Sequence, residues 1–579
     1  MFFLMFLSLT NEQLSLKLVV CEEWEYIIRL ANAGASFGYL TLGYLEIKMI
    51  RSGRRNGLLH TGKKEITLKG IALLLFGFCL LAPTFCQAAQ ESPNEKFARP
   101  IEGSRMLAGK GEVSDCVLDC FIHLCGTSSR DVIVVCLDGK PKISVERWKQ
   151  RGANSVVVID KVPSDTESLM LTLLKAKGFW FESDDATLKS HMLFQALLRN
   201  VTQRGGVIGG SGAGAMAITG FGLLPSSTVH FSSLENRSND ASESSDGIHW
   251  YVPNSAALVF HHGRRVSALG KENVDVRVAG KNGWDERTTT IESIDAWDVG
   301  QLPSYNLDLL SWVRSTMDRQ GPVFPPEKAP VTKVEKGTLI LQGGAGVDED
   351  TFNRFIDAAG GKESVFVCIP SASDFRAGQE PNSYSAQNLR SMGCKNVTIL
   401  HATDPLVADQ DKRFLAALKK ADGIWIDGGR TYRMMDRFQG TKAAELMREL
   451  LERDGVIGGS SAGCQVAGDF LVRGNPRTNR DLVLDGYTRG FGFIEGVILD
   501  AHFLQRGRDE TFKPLMETYP QMLGIGVDEK TAISIRGSVA EVLGSNAVSF
   551  YNMKNGSSSK PVILKRGSKY DLEKRKVVE

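Results

Sequence analysis

Gly455-Val-Ile-Gly-Gly-Ser-Ser-Ala-Gly-Cys464 is the stretch from which the fold can be read. Within it, Gly459-Ser-Ser-Ala-Gly463 fits G-x-S-x-G, the pattern of a nucleophile elbow. The apolar pair Val456-Ile457 leads in as a strand, and Ala462 to Ala467 reads as the start of a helix. A serine on so sharp a strand-to-helix turn exposes its hydroxyl and leaves neighbouring backbone N–H groups free to hold an oxyanion. The flanking glycines fit because a residue without Cβ tolerates a tight turn. A strand feeding directly into a helix is the unit of a parallel α/β sheet, whose reactive groups gather at the carboxyl ends of the strands.

Working outward, the same stretch occurs twice. Gly206-Val-Ile-Gly-Gly-Ser-Gly-Ala-Gly214 matches Gly455 to Gly463, and four further pieces match in the same order. Gly103-Ser-Arg-Met-Leu-Ala-Gly109 pairs with Gly337-Thr-Leu-Ile-Leu-Gln-Gly343, and Phe121-Ile122 with Phe355-Ile356. Val132-Ile-Val-Val-Cys136 pairs with Val365-Phe-Val-Cys368, and Lys175-Ala-Lys-Gly-Phe-Trp-Phe181 with Lys420-Ala-Asp-Gly-Ile-Trp-Ile426. Such collinearity, with an offset that drifts as loop insertions would make it, reads as a tandem duplication. Within each copy short β-branched runs alternate with amphipathic stretches such as Ala443 to Arg453, which predicts βαβ units.

The expected organisation is an N-terminal extension and signal segment over 1–89, a first module over 99–318, a proline-rich linker over 319–332 and a second module over 333–579. The linker contains Gly321-Pro-Val-Phe-Pro-Pro-Glu-Lys-Ala-Pro330, poor in helix or strand potential. The signal reading starts at Met49. A flank with Arg51, Arg54, Arg55, Lys63, Lys64 and Lys69 precedes the apolar run Ile71 to Ala82, and Cys86-Gln-Ala-Ala-Gln90 supplies small residues for cleavage. That order implies translation from near Met49, a mature chain from near Ala89, and a periplasmic or secreted protein. An uncleaved membrane anchor is the alternative, although the run is short of the ~20 apolar residues of a span. N-terminal sequencing of the exported chain checks it: a mature protein starting at Met1 removes the reading.

The chain has 579 residues, of which 42% are hydrophobic and 23% charged, ordinary values for a globular protein. A net charge of +2 and the lack of a basic run interleaved with aromatics set nucleic-acid binding aside. Seven of the ten cysteines lie beyond the expected cleavage site, an odd number that cannot pair fully within one chain. The spacing of Cys116, Cys120 and Cys125 forms no C-x-x-C type ligand set, so no metal is expected, and buried free thiols are preferred to a disulfide near Cys116 to Cys136.

The two copies differ at the position that carries the chemistry: Ser461 in the second is Gly212 in the first, which has no side chain to attack with. A serine nucleophile needs a base and a group that orients the base. The second module has two histidines, His401 and His502, each at the end of an apolar run. Asp528 and Glu529 follow another strand-like run, with Asp469, Asp481 and Asp500 as rivals, any of which can instead cap a helix. Cys464 is a rival nucleophile expected one turn into the helix, off the line of attack.

With these pieces in hand the second module resembles the cyanophycinase and aspartyl dipeptidase family of serine peptidases. The resemblance rests on Gly337 to Ala345, Ile369-Pro-Ser-Ala372, Ile426-Asp-Gly-Gly429, Gly458 to Gly463, Asp500-Ala-His-Phe503, Arg506-Gly-Arg508, Gly526 to Ala532 and Tyr570-Asp-Leu572. It implies two tandem three-layer α/β/α sandwiches with mostly parallel sheets, flavodoxin-like and similar to class I glutamine amidotransferases. It also implies a Ser-His-Glu triad of Ser461, His502 and Glu529, an oxyanion hole of Gly429 and Ala462 amides, and no cofactor. Arg506, Arg508, Arg430 and Asp500 are the residues it puts forward for the substrate, a small peptide or amide near an acidic group. The family pattern reads G-G-D-Q, D-Q-H-F and R-x-R-x-x-R, where this chain has Arg430-Thr431, Ala501 and Thr511. Cyanophycin itself is therefore not taken as the substrate. The alternatives are a scaffold of two degenerate modules and an amidase or esterase acting on a non-peptide. The duplication also suggests a pseudo-dimer within one chain.

Overall fold

The computed structural model describes residues 96–579, apart from 127–129, 137–139, 161–175, 184–191, 221–223, 232–245, 296–306, 347, 376–378 and 554–559, together with the backbone of four earlier strands. Those four, Leu4–Thr10, Gln13–Cys21, Trp24–Ala31 and Leu45–Arg51, pair in chain order as an antiparallel sheet. They belong to a unit, Met1–Phe78, distinct from the unit Cys79–Glu579. The apolar run 71–82 and the expected cleavage site near Ala89 lie outside the described residues. Among the described residues no helix is long and apolar enough to cross a membrane.

In the larger unit the first stretch of chain supplies β1 (Ser104–Ala108), β2 (Asp131–Val135), β3 (Ser155–Ile159), β4 (Gly178–Phe181) and β5 (Val207–Ser211). It continues with β6 (Ser227–His230), β7 (Ile248–Tyr251), β8 (Ala256–His261), β9 (Arg265–Gly270), β10 (Val274–Val278) and β11 (Arg287–Ile291). After residue 333 come β12 (Val334–Gln342), β13 (Val365–Ile369), β14 (Asn396–Ile399), β15 (Gly423–Ile426), β16 (Val456–Ser460) and β17 (Gly468–Phe470). The last set is β18 (Ile494–Ala501), β19 (Leu523–Val527), β20 (Thr531–Gly537), β21 (Val539–Gly544), β22 (Ala547–Asn552) and β23 (Val562–Lys565).

The larger sheet of the first set runs β3-β2-β4-β5-β1-β8-β9, parallel from β3 to β1 and antiparallel at β8 and β9. The second set gives β14-β13-β15-β16-β12-β20-β21 with the same senses. A smaller sheet accompanies each: β6-β7-β10-β11 and β17-β18-β19-β22-β23.

The central strands read as unbroken apolar runs because both faces of a parallel sheet are covered. Alternation divides them: Leu339, Leu341, Ile424, Ile426 and Ile457 face one side, and Ile340, Trp425 and Val456 the other. The first side packs on helices Thr431–Phe438 and Lys442–Glu452 through residues such as Met435, Phe438, Met447 and Leu450. The second side takes Phe352, Phe355 and Ile356 of helix Glu349–Ala358. The first sheet repeats the division, with Leu107, Ile133 and Phe179 on one side and Met106, Val132 and Trp180 on the other. The architecture is an α/β/α sandwich with a mostly parallel sheet, as expected. Phe121 meets Trp180 edge-on at 5.2 Å and 90°, and Phe355 meets Trp425 at 5.1 Å and 90°. The seven cysteines from Cys116 to Cys464 are free thiols.

Candidate active site

The strand β16 ends at Ser460, and the chain turns at Ser461, with φ 54° and ψ −111°, into α1 (Ala462–Gln465). The left-handed φ is carried by the serine itself, a cost of ~1–3 kcal/mol that the surrounding structure must hold in place. Its glycine neighbours are needed for a different reason from the one expected. A Cβ on Gly459 would lie 2.5 Å from the Gly463 carbonyl oxygen, and one on Gly463 would lie 2.1 Å from that of Ile426. Close backbone approach, not a positive φ, excludes side chains there. The Ser461 amide donates to the Gln342 carbonyl at 2.9 Å, which ties the elbow to the end of β12.

His502 follows β18 at φ 50°, its amide donating to the Gly343 carbonyl at 2.8 Å. Its ring lies against Gly344, where a Cβ would stand 2.2 Å from Cε1. Glu529 follows β19 by two residues and receives no steering from Asp528, which is buried and accepts the Leu504 and Ala547 amides at 3.0 and 3.3 Å. The structure brings Ser461, His502 and Glu529 into one line: Ser461 Oγ to His502 Nε2 is 2.8 Å, and His502 Nδ1 to Glu529 Oε1 is 2.6 Å. A carboxylate can only accept, so Nδ1–H donates to Glu529, and a neutral ring leaves Nε2 to accept from the serine hydroxyl. Burial of the ring is the main force holding the His502 pKa below 6.5. The hydrogen bond to Glu529 opposes it, while Arg506 and Arg508 add to the lowering. The nucleophile comes from the larger sheet and the other two groups from the smaller one.

His401 stands apart from this line. Its Nδ1 lies 3.2 Å from Ser371 Oγ, its ring packs edge-on against Phe375, and burial brings its pKa down to about 4. Cys464 is fully buried within α1, and burial pushes its thiol far up, so it is no nucleophile. Asp469 accepts the Gly496 and Val497 amides, and Asp481 accepts from Asn475.

On one side of Ser461 is a small cavity of ≈ 30 Å³, lined by Gly429, Arg430, Thr431, Arg473, Arg506 and Arg508 among others. Arg506 is exposed, while the Arg430 guanidinium donates to the Asn475 carbonyl at 2.7 Å. Arg508, expected as a free partner for a substrate carboxylate, is buried and gives its Nη1 to Asp500 and to the Ala501 carbonyl, both at 2.6 Å. Asp500 needs the larger correction. It is wholly buried, and its carboxylate is spent on Arg473, Arg508 and Gln465, so it is an internal counter-ion. Sequence reasoning misses Arg473 altogether, since it lies in an irregular segment after β17 with no motif around it. On the other side a cavity of ≈ 560 Å³ is lined by Gly344, Gly346, Phe375, Asn382, Tyr384 and His502 among others. Gln342, also unforeseen, shapes that wall by donating to the Gly344 and Gly346 carbonyls at 2.9 and 2.6 Å. The Gly429 and Ala462 amides flank Ser461 and have no protein acceptor among the described residues. A Cβ on Gly428 would stand 3.1 Å from that of Ser461, which shows how closely this loop approaches.

Residues 339–543 match the family model described as Peptidase family S51. A cyanophycinase of Geminocystis herdmanii is 30% identical over 224 residues, covering 37% of this chain and 79% of that protein. A cyanophycinase of Synechococcus elongatus is 30% identical over 236 residues, covering 38% and 70%. Among solved structures, a peptidase from an acI-B1 Actinobacterium has a TM-score of 0.34 at 24% identity, covering 41% of this chain and 98% of that one. A protein described as peptidase E from Listeria monocytogenes has a TM-score of 0.28 at 18% identity, covering 36% and 100%. By its match to most of the length of these cyanophycinases, the chain belongs to peptidase family S51 and is a serine-type peptidase.

Proposed function

We propose that Ser461, His502 and Glu529 are the nucleophile, base and orienting acid of this peptidase, acting on small peptides that carry an aspartyl or isoaspartyl group. The observation that carries the reading is the line of contacts at 2.8 and 2.6 Å from hydroxyl to imidazole to carboxylate. Ser461 Oγ forms a bond to the amide carbonyl carbon as its proton passes to His502 Nε2. The carbonyl electron pair moves onto oxygen, which the Ala462 and Gly429 amides receive; losing one such donor typically costs ~3 kcal/mol of barrier. Collapse breaks the carbon–nitrogen bond, and His502 returns the proton to the leaving amine. Water then repeats the sequence on the acyl-enzyme, with the Glu529 carboxylate stabilising the imidazolium.

The acidic substrate is supported by charge. Four arginines, Arg430, Arg473, Arg506 and Arg508, line the cavity of ≈ 30 Å³ beside Ser461, and among the described residues no carboxylate lines it. A short anionic group matches that size and sign, and the remainder of the substrate extends into the larger cavity. The first module is proposed as a duplicated copy that keeps the turn without the chemistry, supported by the common strand order and senses.

A fluorophosphonate probe tests the nucleophile: labelling maps to Ser461 and disappears in Ser461→Ala. Folded wild-type protein that takes no label removes the assignment. A panel of α- and β-aspartyl dipeptides tests the substrate, and uniform inactivity on all of them removes the acidic reading.

A further inference from the structure

We propose that Arg473 is a positioning residue for anion recognition: it cancels the charge of Asp500, so that the positive charge of Arg508 stays available to the cavity beside Ser461. This rests on the reading of that cavity as the acidic-group subsite.

Asp500 is wholly buried at the end of β18 and lies between two arginines. Arg508 reaches it with Nη1 at 2.6 Å. Arg473 also reaches it, with Nε at 3.1 and 3.0 Å and Nη2 at 2.9 Å. The remaining donors of Arg473 are also occupied, by the Asn479 and Arg480 carbonyls and by Thr511 Oγ1 at 3.0, 3.5 and 3.4 Å. With its donors spent on protein, Arg473 has none to offer a substrate. Arg508 differs, since its hydrogen bonds run through Nη1 alone.

The charge count follows. Arg508 and Asp500 alone would be a neutral pair, and the cavity would keep only Arg430 and Arg506 as uncompensated charges. Adding Arg473 makes the buried triad net positive, and both of its arginines line the cavity. A buried charge is expensive unless it is paired and hydrogen-bonded, and Arg473 meets that condition so fully that it can be held at a position with φ 59°. Its own carbonyl accepts from Thr431 Oγ1 at 2.7 Å, fixing the same residue to the start of helix Thr431–Phe438. Nothing in this arrangement requires Arg473 for the proton relay, which runs through other strands.

The test measures how succinate, and its uncharged diamide succinamide, slow fluorophosphonate labelling of Ser461 in the full chain. In the wild type, succinate protects at a concentration at least about tenfold lower than succinamide, as expected for a partly desolvated charge contact. Arg473→Met loses that difference, with the protection of each variant read as a ratio to its own labelling rate without added ligand. Arg473→Lys keeps it, because the charge is kept. The deciding variant is Arg473→Met with Asp500→Asn: removing both opposite charges restores the net charge and the protection by succinate, although it deletes still more hydrogen bonds. If Arg473→Met does not fold, the lysine and double variants carry the same comparison. Equal protection by both compounds in the wild type overturns the acidic-subsite reading and this inference with it. A wild-type preference that survives in Arg473→Met, or that the double variant fails to regain, overturns this inference alone.

Discussion

In the proposed triad Ser461 sits at a strained turn, φ 54° and ψ −111°, and its hydroxyl meets a buried histidine at 2.8 Å. As the proposed base His502 must be neutral, and burial, with help from Arg506 and Arg508, holds its pKa below 6.5. The sign follows directly. Lowering the pKa keeps the ring neutral to lower pH, so kcat/KM on a cleaved peptide rises through an inflection below 6.5 and is level at neutral pH. Arg506→Gln removes a positive charge that disfavours imidazolium, so the inflection moves to higher pH, as a pH–rate profile would record. An unchanged or lowered inflection contradicts this account. At this scale the sequence speaks through residue types with a fixed chemical task. Glycines 459 and 463 are legible as necessary, but the reason is the 2.5 and 2.1 Å approach of carbonyl oxygens. Asp500 is misread from sequence because its type and its place near the reactive rim suit a ligand, while its burial, which decides the matter, depends on Arg473 and Arg508 folding onto it.

The helix Thr431–Phe438 begins directly after the Gly429-Arg430 loop and is held by side chains distant in sequence. Asp436 on that helix accepts from Arg264 at 2.8 Å, from Arg314 at 3.3 Å and from Tyr487 Oη at 2.6 Å. Arg264 also pairs with Asp308 and stacks over Tyr432, 4.9 Å from the ring centroid. The 484–489 loop is pinned in parallel, with Asp485 accepting from Ser315 at 2.7 Å and from Arg319 at 3.1 Å. Removing one member of a buried, hydrogen-bonded charge network leaves the others uncompensated, typically at a cost of ~3–5 kcal/mol. Asp436→Ala is therefore expected to lower unfolding stability by about 3 kcal/mol in a denaturant titration, and to raise KM through the loosened Arg430 loop. A loss below about 0.5 kcal/mol would show the contact to be no more than surface pairing. The strands and helices were foreseeable from period and composition. The seam was not, because its arginines and aspartates are ordinary solvent-facing residue types until a second surface covers them.

Across the whole molecule, strand register allows the two modules to be compared position by position. Gln342 pairs with Ala532, and Ala108 with Ala257. Counting back along each chain from those partners aligns Glu529 with Asn254 and Gly526 with Tyr251. Gly526 pairs with Asp500, and Tyr251 with His230, so His230 corresponds to Asp500 and not to the base. Gly212, at φ 53°, donates to the Ala108 carbonyl at 3.1 Å and so repeats the Ser461 turn. By this register Gly212 stands where the later stretch has Ser461, and Asn254 where it has Glu529. Gly212→Ser is expected to add no second fluorophosphonate label; a label on the introduced hydroxyl would mean that another group there serves as base.

Sequence alone determined what is carried by local pattern: an α/β sandwich, the elbow at Ser461, and the matching of 103–214 with 337–463. Such features follow from backbone sterics and hydrophobic period, which act over a few residues. Tertiary structure alone decided that Asp500 is an internal counter-ion, that Arg473 stands beside it, and that Arg264 and Arg314 grip Asp436. Each of these depends on how far two distant segments exclude water from a charge. No short stretch of chain encodes that quantity by itself.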